Sequence, residues 1–170
     1  TINDESTSRI TLNNANVALS GTLTDIRTAL AGNFTPNYTG NLTITDANAA
    51  NITATDLVLR SDGFTSGTVT VSNNINLKGT AADVATAVDD VNNFSRTPTA
   101  QLTDAHNLAQ LIAINNKIAG TITLNDYSVA LSGTAEQVSQ ALDGTFNAQY
   151  TGAATVSDDH SLPTLKIIGS

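Results

Sequence analysis

The sequence predicts an α/β fold in which tandem β-β-α-β-α units stack as a short solenoid-like array, and three observations predict it. ITLNNANVALSGTLTDIRTALAG (10–32) returns as ITLNDYSVALSGTAEQVSQALDG (122–144), with a looser echo, VTVSNNINLKGTAADVATAVDD (69–90), between them. Inside each copy the apolar period switches from two, as in a half-buried strand, to about 3.6, as in an amphipathic helix. Apolar residues make up 40% of the chain, yet aromatics are 4% and Trp, Cys and Met are absent. Such a core rests on Val, Ile, Leu and Ala, which suit thin layers that repeat. The abundance of Thr and Asn keeps a mainly-β solenoid or sandwich as the alternative.

The register of the repeat holds without gaps. Leu19-Ser20-Gly21-Thr22 matches Leu77-Lys78-Gly79-Thr80 and Leu131-Ser132-Gly133-Thr134; Leu19 to Leu77 is 58 positions and Leu77 to Leu131 is 54. Each copy then runs the same distance to an Asp: Asp46, Asp104 or Asp158. This organisation divides the chain into an extension (1–9), repeat 1 (10–67), repeat 2 (68–120) and repeat 3 (121–170).

Each unit opens on a Thr-alternating strand (ITL, VTV, ITL), followed by a polar turn and a second short strand, VAL or INL. These read as a hairpin or as two short strands around the turn. A Gly-Thr pair then starts a helix. Thr22, Thr80 and Thr134 take the N-cap, with Asp25, Asp83 and Gln137 three residues on, a capping-box arrangement. Ile26, Ala29, Leu30; Val84, Ala87, Val88; and Val138, Ala141, Leu142 supply the buried stripe. Gly32 and Gly144 end two of these helices. After a polar loop comes a further strand (NLTIT, AQLT, AATVS), then a second helix. That helix is clearest in AHNLAQLIAINNK (105–117) and has its counterpart in DHSLPTLKII, where Pro163 suits a first helical turn. Copy one is irregular there, carrying extra loop at 53–66. Strands joined through helices call for right-handed parallel crossovers.

Charge and composition exclude several roles. Seven basic against 15 acidic residues give a net charge of −8, which disfavours nucleic acid and anionic membrane surfaces as partners. The absence of Cys removes disulfides, thiolate chemistry and Cys-based metal sites. No apolar run approaches the roughly 18 residues that a membrane span requires, and no basic-then-apolar signal opens the chain. The residues read as a piece of a mature soluble protein, with no membrane insertion.

The candidate site residues are Asp46, Asp104 and Asp158, short carboxylates that could hold calcium together with neighbouring Asp, Asn and backbone carbonyls. Capping of the following helix is the simpler role, because no D-x-D-x-D loop surrounds them. No other cofactor is implied. His106 and His160 stand two residues after their Asp, where copy one has Asn48; each reads as a surface residue of a first helical turn. Asp89-Asp90 reads as a solvated helix end. Ser20 and Ser132 are matched by Lys78, so that position marks a strand-to-helix junction. With two isolated histidines and no convergent acid–base set, the chain reads as non-enzymatic. Five Asn-x-Ser/Thr patterns (Asn33, Asn37, Asn41, Asn51, Asn93) are what this composition supplies by chance. The pairs Thr43/Thr45, Thr68/Thr70 and Thr121/Thr123 are too sparse for an ice-binding plane and read as outward strand faces.

LSGTAEQVSQALDGTFNAQYTG and TDAHNLAQLIAIN resemble repeats of very large secreted proteins of cyanobacteria and other Gram-negative bacteria. Those are hemolysin-type (RTX-associated) exoproteins, adhesins, and surface-layer or fibre proteins, often exported by type I secretion. The resemblance implies an extracellular or cell-surface location and a structural or attachment role. The glycine-rich calcium nonapeptide of such proteins is absent here, and the Tyr-Thr-Gly of copies one and three becomes Arg96-Thr97-Pro98 in copy two. The expectation is a structural repeat module of a self-associating fibre, surface layer or adhesin stalk, partnered by copies of itself or by adjacent repeats of one parent chain. TINDESTSRITL, in this reading, adds as a donor strand to the uncovered edge after repeat 3 of the next molecule. The alternative is a module that binds glycan or cell-surface polysaccharide through loops 33–41 and 145–152, with Tyr38 and Tyr150 stacked on sugar rings; packing inside the fold is the simpler role for both.

Overall fold

Parallel pairing between strands of successive turns of the chain organises the structure, a computed structural model that describes residues 9–159. The strands are short: β1 (Ile10–Thr11), β2 (Leu19–Gly21), β3 (Phe34–Thr35), β4 (Leu42–Ile44), β5 (Ala50–Thr53) and β6 (Val69–Val71). They continue as β7 (Ile75–Gly79), β8 (Asn93–Phe94), β9 (Thr99–Leu102), β10 (Ile122–Thr123), β11 (Leu131–Gly133) and β12 (Ala154–Val156). Four helices alternate with them: α1 (Leu23–Leu30), α2 (Ala81–Asp90), α3 (Leu108–Asn115) and α4 (Ala135–Leu142). A 3-10 turn, Ala54–Leu57, follows β5.

The sheets run in the orders β1-β3, β2-β4-β6-β8, β5-β7-β9-β10 and β11-β12, with every pair parallel. Of the two arrangements expected around each polar turn, the hairpin does not form, and two short strands flank the turn without pairing to each other. The first strand of a copy pairs instead with the segment that follows the helix: Ile10 with Phe34, Thr70 with Asn93, Ile122 with Phe146. The second does the same, as Leu19 lies beside Leu42, Leu77 beside Ala100 and Leu131 beside Ala154. The helical crossover brings the chain back in the same direction, so the ladder it meets is parallel. Pairing also crosses the repeat boundaries: Leu42 stands beside Val69 and Ala100 beside Ile122.

The expected capping is present. Thr22 Oγ1 accepts from Asp25 N at 3.2 Å, Thr80 Oγ1 from Asp83 N at 3.1 Å, and Thr134 Oγ1 from Gln137 N at 3.2 Å. Only Gln137 is long enough to return its side chain to the backbone, at Thr134 N. The shorter Asp25 and Asp83 each take the Thr hydroxyl proton instead, at 2.7 Å. Gly32 and Gly144 lie just past α1 and α4, whose C-caps are Ala31 and Asp143.

Copy two contains the second helix, α3, capped by Asn107 with Gln110 in a full capping box. Copy one, irregular at this place in the sequence, has β5 and the 3-10 turn there, and the copy-three counterpart around Pro163 lies outside the described residues. The core is aliphatic: Leu42, Ile44, Leu57, Leu59, Val69, Val71, Ile75 and Leu77 are all at or below 2% exposure. Burying each such side chain stabilises by roughly 1.5–3 kcal/mol. Helices contribute Ile26, Val84, Ala87, Val88, Leu111, Ile114, Val138 and Ala141, while Ala29 faces out. The 3-10 turn packs on α2, α2 on α3, and α3 on α4. Thr43, Thr70 and Thr123 are half-buried strand residues between buried neighbours, and Thr45, Thr68 and Thr121 flank those strands without being buried.

Candidate functional site

The three Asp residues selected from the sequence share one geometry, and it differs from the expected one. Asp46 accepts the backbone N–H of Leu23 at 2.7 Å, Asp104 that of Ala81 at 2.6 Å, and Asp158 that of Ala135 at 2.7 Å. Each acceptor sits 23 positions after its donor, so the carboxylate caps the helix one turn of the chain earlier, while the helix after Asp104 is capped by Asn107. The reason is parallel register: the strand ending in Asp lies beside the strand that leads into the earlier helix. A free first-turn N–H and the positive helix end both favour a carboxylate there. As calcium candidates the three are spread over three helix starts, and among the described residues no group of three His, Asp or Glu side chains forms a metal cluster. Asp90 is not a solvated helix end: it is 4% exposed and accepts from Arg60 N, Ser61 N and Ser61 Oγ.

Both Tyr-Thr-Gly motifs are struts. The Tyr38 hydroxyl donates to Val17 O and the Tyr150 hydroxyl to Val129 O, in each case reaching back 21 positions. Thr39 N donates to Ala15 O at 2.8 Å and Thr151 N to Tyr127 O at 2.8 Å. The Gly is required by close approach, since a Cβ on Gly40 would collide with Val17 O and one on Gly152 with Val129 O. Tyr38 is buried, and burial raises its pKa. Tyr150 packs edge-on against His106, with centroids 5.7 Å apart, and is pushed up to about 12 by burial and then by Asp126.

His106 is 4% exposed, contrary to its expected surface position, and precedes the Asn107 cap. His160 lies outside the described residues. His106 Nε2 is 3.0 Å from the Tyr150 hydroxyl, whose own proton goes to Val129 O at 2.6 Å. Nε2 therefore carries the donated proton, and Nδ1 is a neutral, buried acceptor without a partner among the described residues. Burial lowers the His106 pKa, against smaller opposing effects of Asp126 and Asp104. No signal within a single copy could have revealed this, because the contact joins residues 44 positions apart.

The irregular loop of copy one forms a concave feature that departs from the repeat. Other paired strands stand 22 to 25 positions apart, but Leu42 and Val69, paired between β4 and β6, are 27 apart. The extra residues form a loop held from several sides. Asp90 binds Arg60 and Ser61; Thr65, 3% exposed, donates to Gly40 O at 2.6 Å and accepts from Gly67 N at 2.9 Å; Gly63 takes a positive φ of 78°. Arg27 lies 4.7 Å over the Phe64 ring and within 4.0 Å of Asp56 and 3.8 Å of Asp62. Between this loop and the Tyr38 loop is an open cleft of about 540 Å³, lined by Asn37, Tyr38, Thr39, Arg60, Gly63, Thr65 and Ser66.

Among the described residues, no helix is long and apolar enough to cross a membrane. No family model, no curated protein and no solved structure matches this chain at a significant level.

Proposed function

We propose that this chain is a non-enzymatic structural repeat module whose units stack as a solenoid-like array, acting outside the cell in a fibre, surface layer or adhesin stalk. The observation that supports it is that parallel pairing ignores the repeat boundaries: strands of one copy pair with strands of the next, as β4 does with β6, β5 with β7 and β9 with β10. A further copy, in this chain or another, adds by the same rule. The Asp caps and the Tyr struts also act between successive turns of the chain, which spreads cohesion along the array. Sedimentation of the purified chain across concentration, first with calcium and then with a chelator, tests it. Growth into long species supports self-association, and their loss on chelation places calcium at the junctions. A monomer under every condition removes the fibre reading and leaves a spacer.

Saccharide binding is retained as a second reading on one observation: loop 36–39 lines the cleft opposite loop 60–66. Support for the Tyr residues as stacking platforms is weak, since both hydroxyls are committed to backbone carbonyls. A glycan array without a hit removes this reading.

A further inference from the structure

We propose that the cleft between loops 36–39 and 60–66 binds an anionic saccharide, with the Arg60 guanidinium pairing a sugar carboxylate. This rests on the saccharide-binding reading above and adds the ligand's charge and the residue that selects it.

Four observations converge. First, the Arg60 side chain lines the cleft and has no hydrogen bond or ion pair among the described residues. The nearby acids are already engaged: Asp56 and Asp62 face Arg27, and Asp90 is turned to the backbone of residues 60 and 61. A guanidinium without a partner among the described residues offers a planar fork for one carboxylate, a local attraction that acts against the protein's net charge of −8. Second, Asn37 and Ser66 line the same cleft and their side chains have no hydrogen-bond partner among the described residues; an amide and a hydroxyl suit sugar hydroxyls. Third, the loop carrying Arg60 is preorganised by two buried polar side chains, Asp90 and Thr65. Buried polar groups are costly unless satisfied, and here they fix the geometry of a surface loop. Fourth, the loop occurs where the spacing between paired strands lengthens from 22–25 to 27, so it is an addition relative to the rest of the repeat. A cleft whose lining holds one cation, an amide, hydroxyl groups and a larger apolar share fits a uronate-bearing sugar, which offers a carboxylate to Arg60, hydroxyls to Asn37 and Ser66, and apolar ring faces to the rest.

The test is calorimetric titration of the chain with hexameric oligogalacturonate, with an oligomaltose of equal length, and with short poly-glutamate. The expected result is saturable binding of the uronate alone, weakened about tenfold or more by Arg60→Ala and less by Arg60→Lys, which retains charge without the fork. The Arg60 side chain is exposed, and unchanged thermal melting of each variant shows that the fold persists. Equal binding of the neutral oligomer overturns the anionic selection while leaving saccharide binding in place. Binding of poly-glutamate as tightly as the uronate makes the site a general carboxylate or acidic-peptide site and overturns the assignment. Uronate binding untouched by Arg60→Ala overturns the role of this cleft. Failure of both sugars to bind removes the inference and the reading beneath it.

Discussion

Asp104 holds the N–H of Ala81 at 2.6 Å, so the end of one strand caps a helix that began 23 residues earlier. Asp46 with Leu23 and Asp158 with Ala135 repeat the relationship. Asp104→Ala should lower stability by about 1–2 kcal/mol through loss of a charged cap, with Asp104→Asn losing less. Urea denaturation measures it. The same loss in calcium and in chelator is expected for a capping residue, and a loss that appears only in calcium would assign Asp104 to metal instead.

Gly40 and Gly152 stand where no side chain fits. Gly40→Ala should cost about 2 kcal/mol or more, because its Cβ would press on Val17 O and on the Tyr38 ring at 2.6 Å. Gly63→Ala has open space around it and should cost less, through its positive φ alone. Thermal melting of the two variants side by side decides the order.

The His106–Tyr150 contact makes stability depend on pH. Burial holds the folded His106 pKa below its usual 6.5, so the unfolded chain takes up the proton first. The contribution is complete above about pH 6.5 and falls as the solution is acidified below it. The urea midpoint should therefore drop between pH 7.5 and pH 5, before carboxylates titrate, and His106→Gln should flatten that drop. A midpoint that rises on acidification in this window would overturn the neutral assignment.

Tyr150→Phe removes the hydroxyl shared by Val129 O and His106 Nε2. The expected loss is about 1–3 kcal/mol, since a buried carbonyl and a ring N–H lose their partner together. Denaturant titration checks it, and Tyr38→Phe should lose less because only Val17 O is orphaned there.

Asp90 fastens the added loop. Asp90→Ala leaves Arg60 N, Ser61 N and Ser61 Oγ without their acceptor and should cost about 2–4 kcal/mol. Amide exchange should quicken at residues 60 and 61 while β7 and β9 stay protected. Uniform loss of protection would mean that the loop is integral to the core.

The repeated order of elements was legible in the chain because its signals are local. A Thr three residues before Asp or Gln caps a helix whatever lies around it, and a 3.6-residue apolar stripe determines which helix face is buried. Thr22, Thr80, Thr134 and the stripes Val84-Ala87-Val88 and Val138-Ala141 needed nothing from tertiary context. The three equivalent Asp residues also stood out, since repetition marks them. Their capping role was legible too, but not which helix they cap, because a carboxylate can cap forward or backward and only strand register chooses. Parallel pairing in place of hairpins, the burial of His106 and Asp90, and the use of Tyr38 and Tyr150 as struts are likewise decided by contacts at separations of 21 to 44 residues. Local propensity is silent at that range: such contacts form only once the helices have returned the chain beside its own earlier turn.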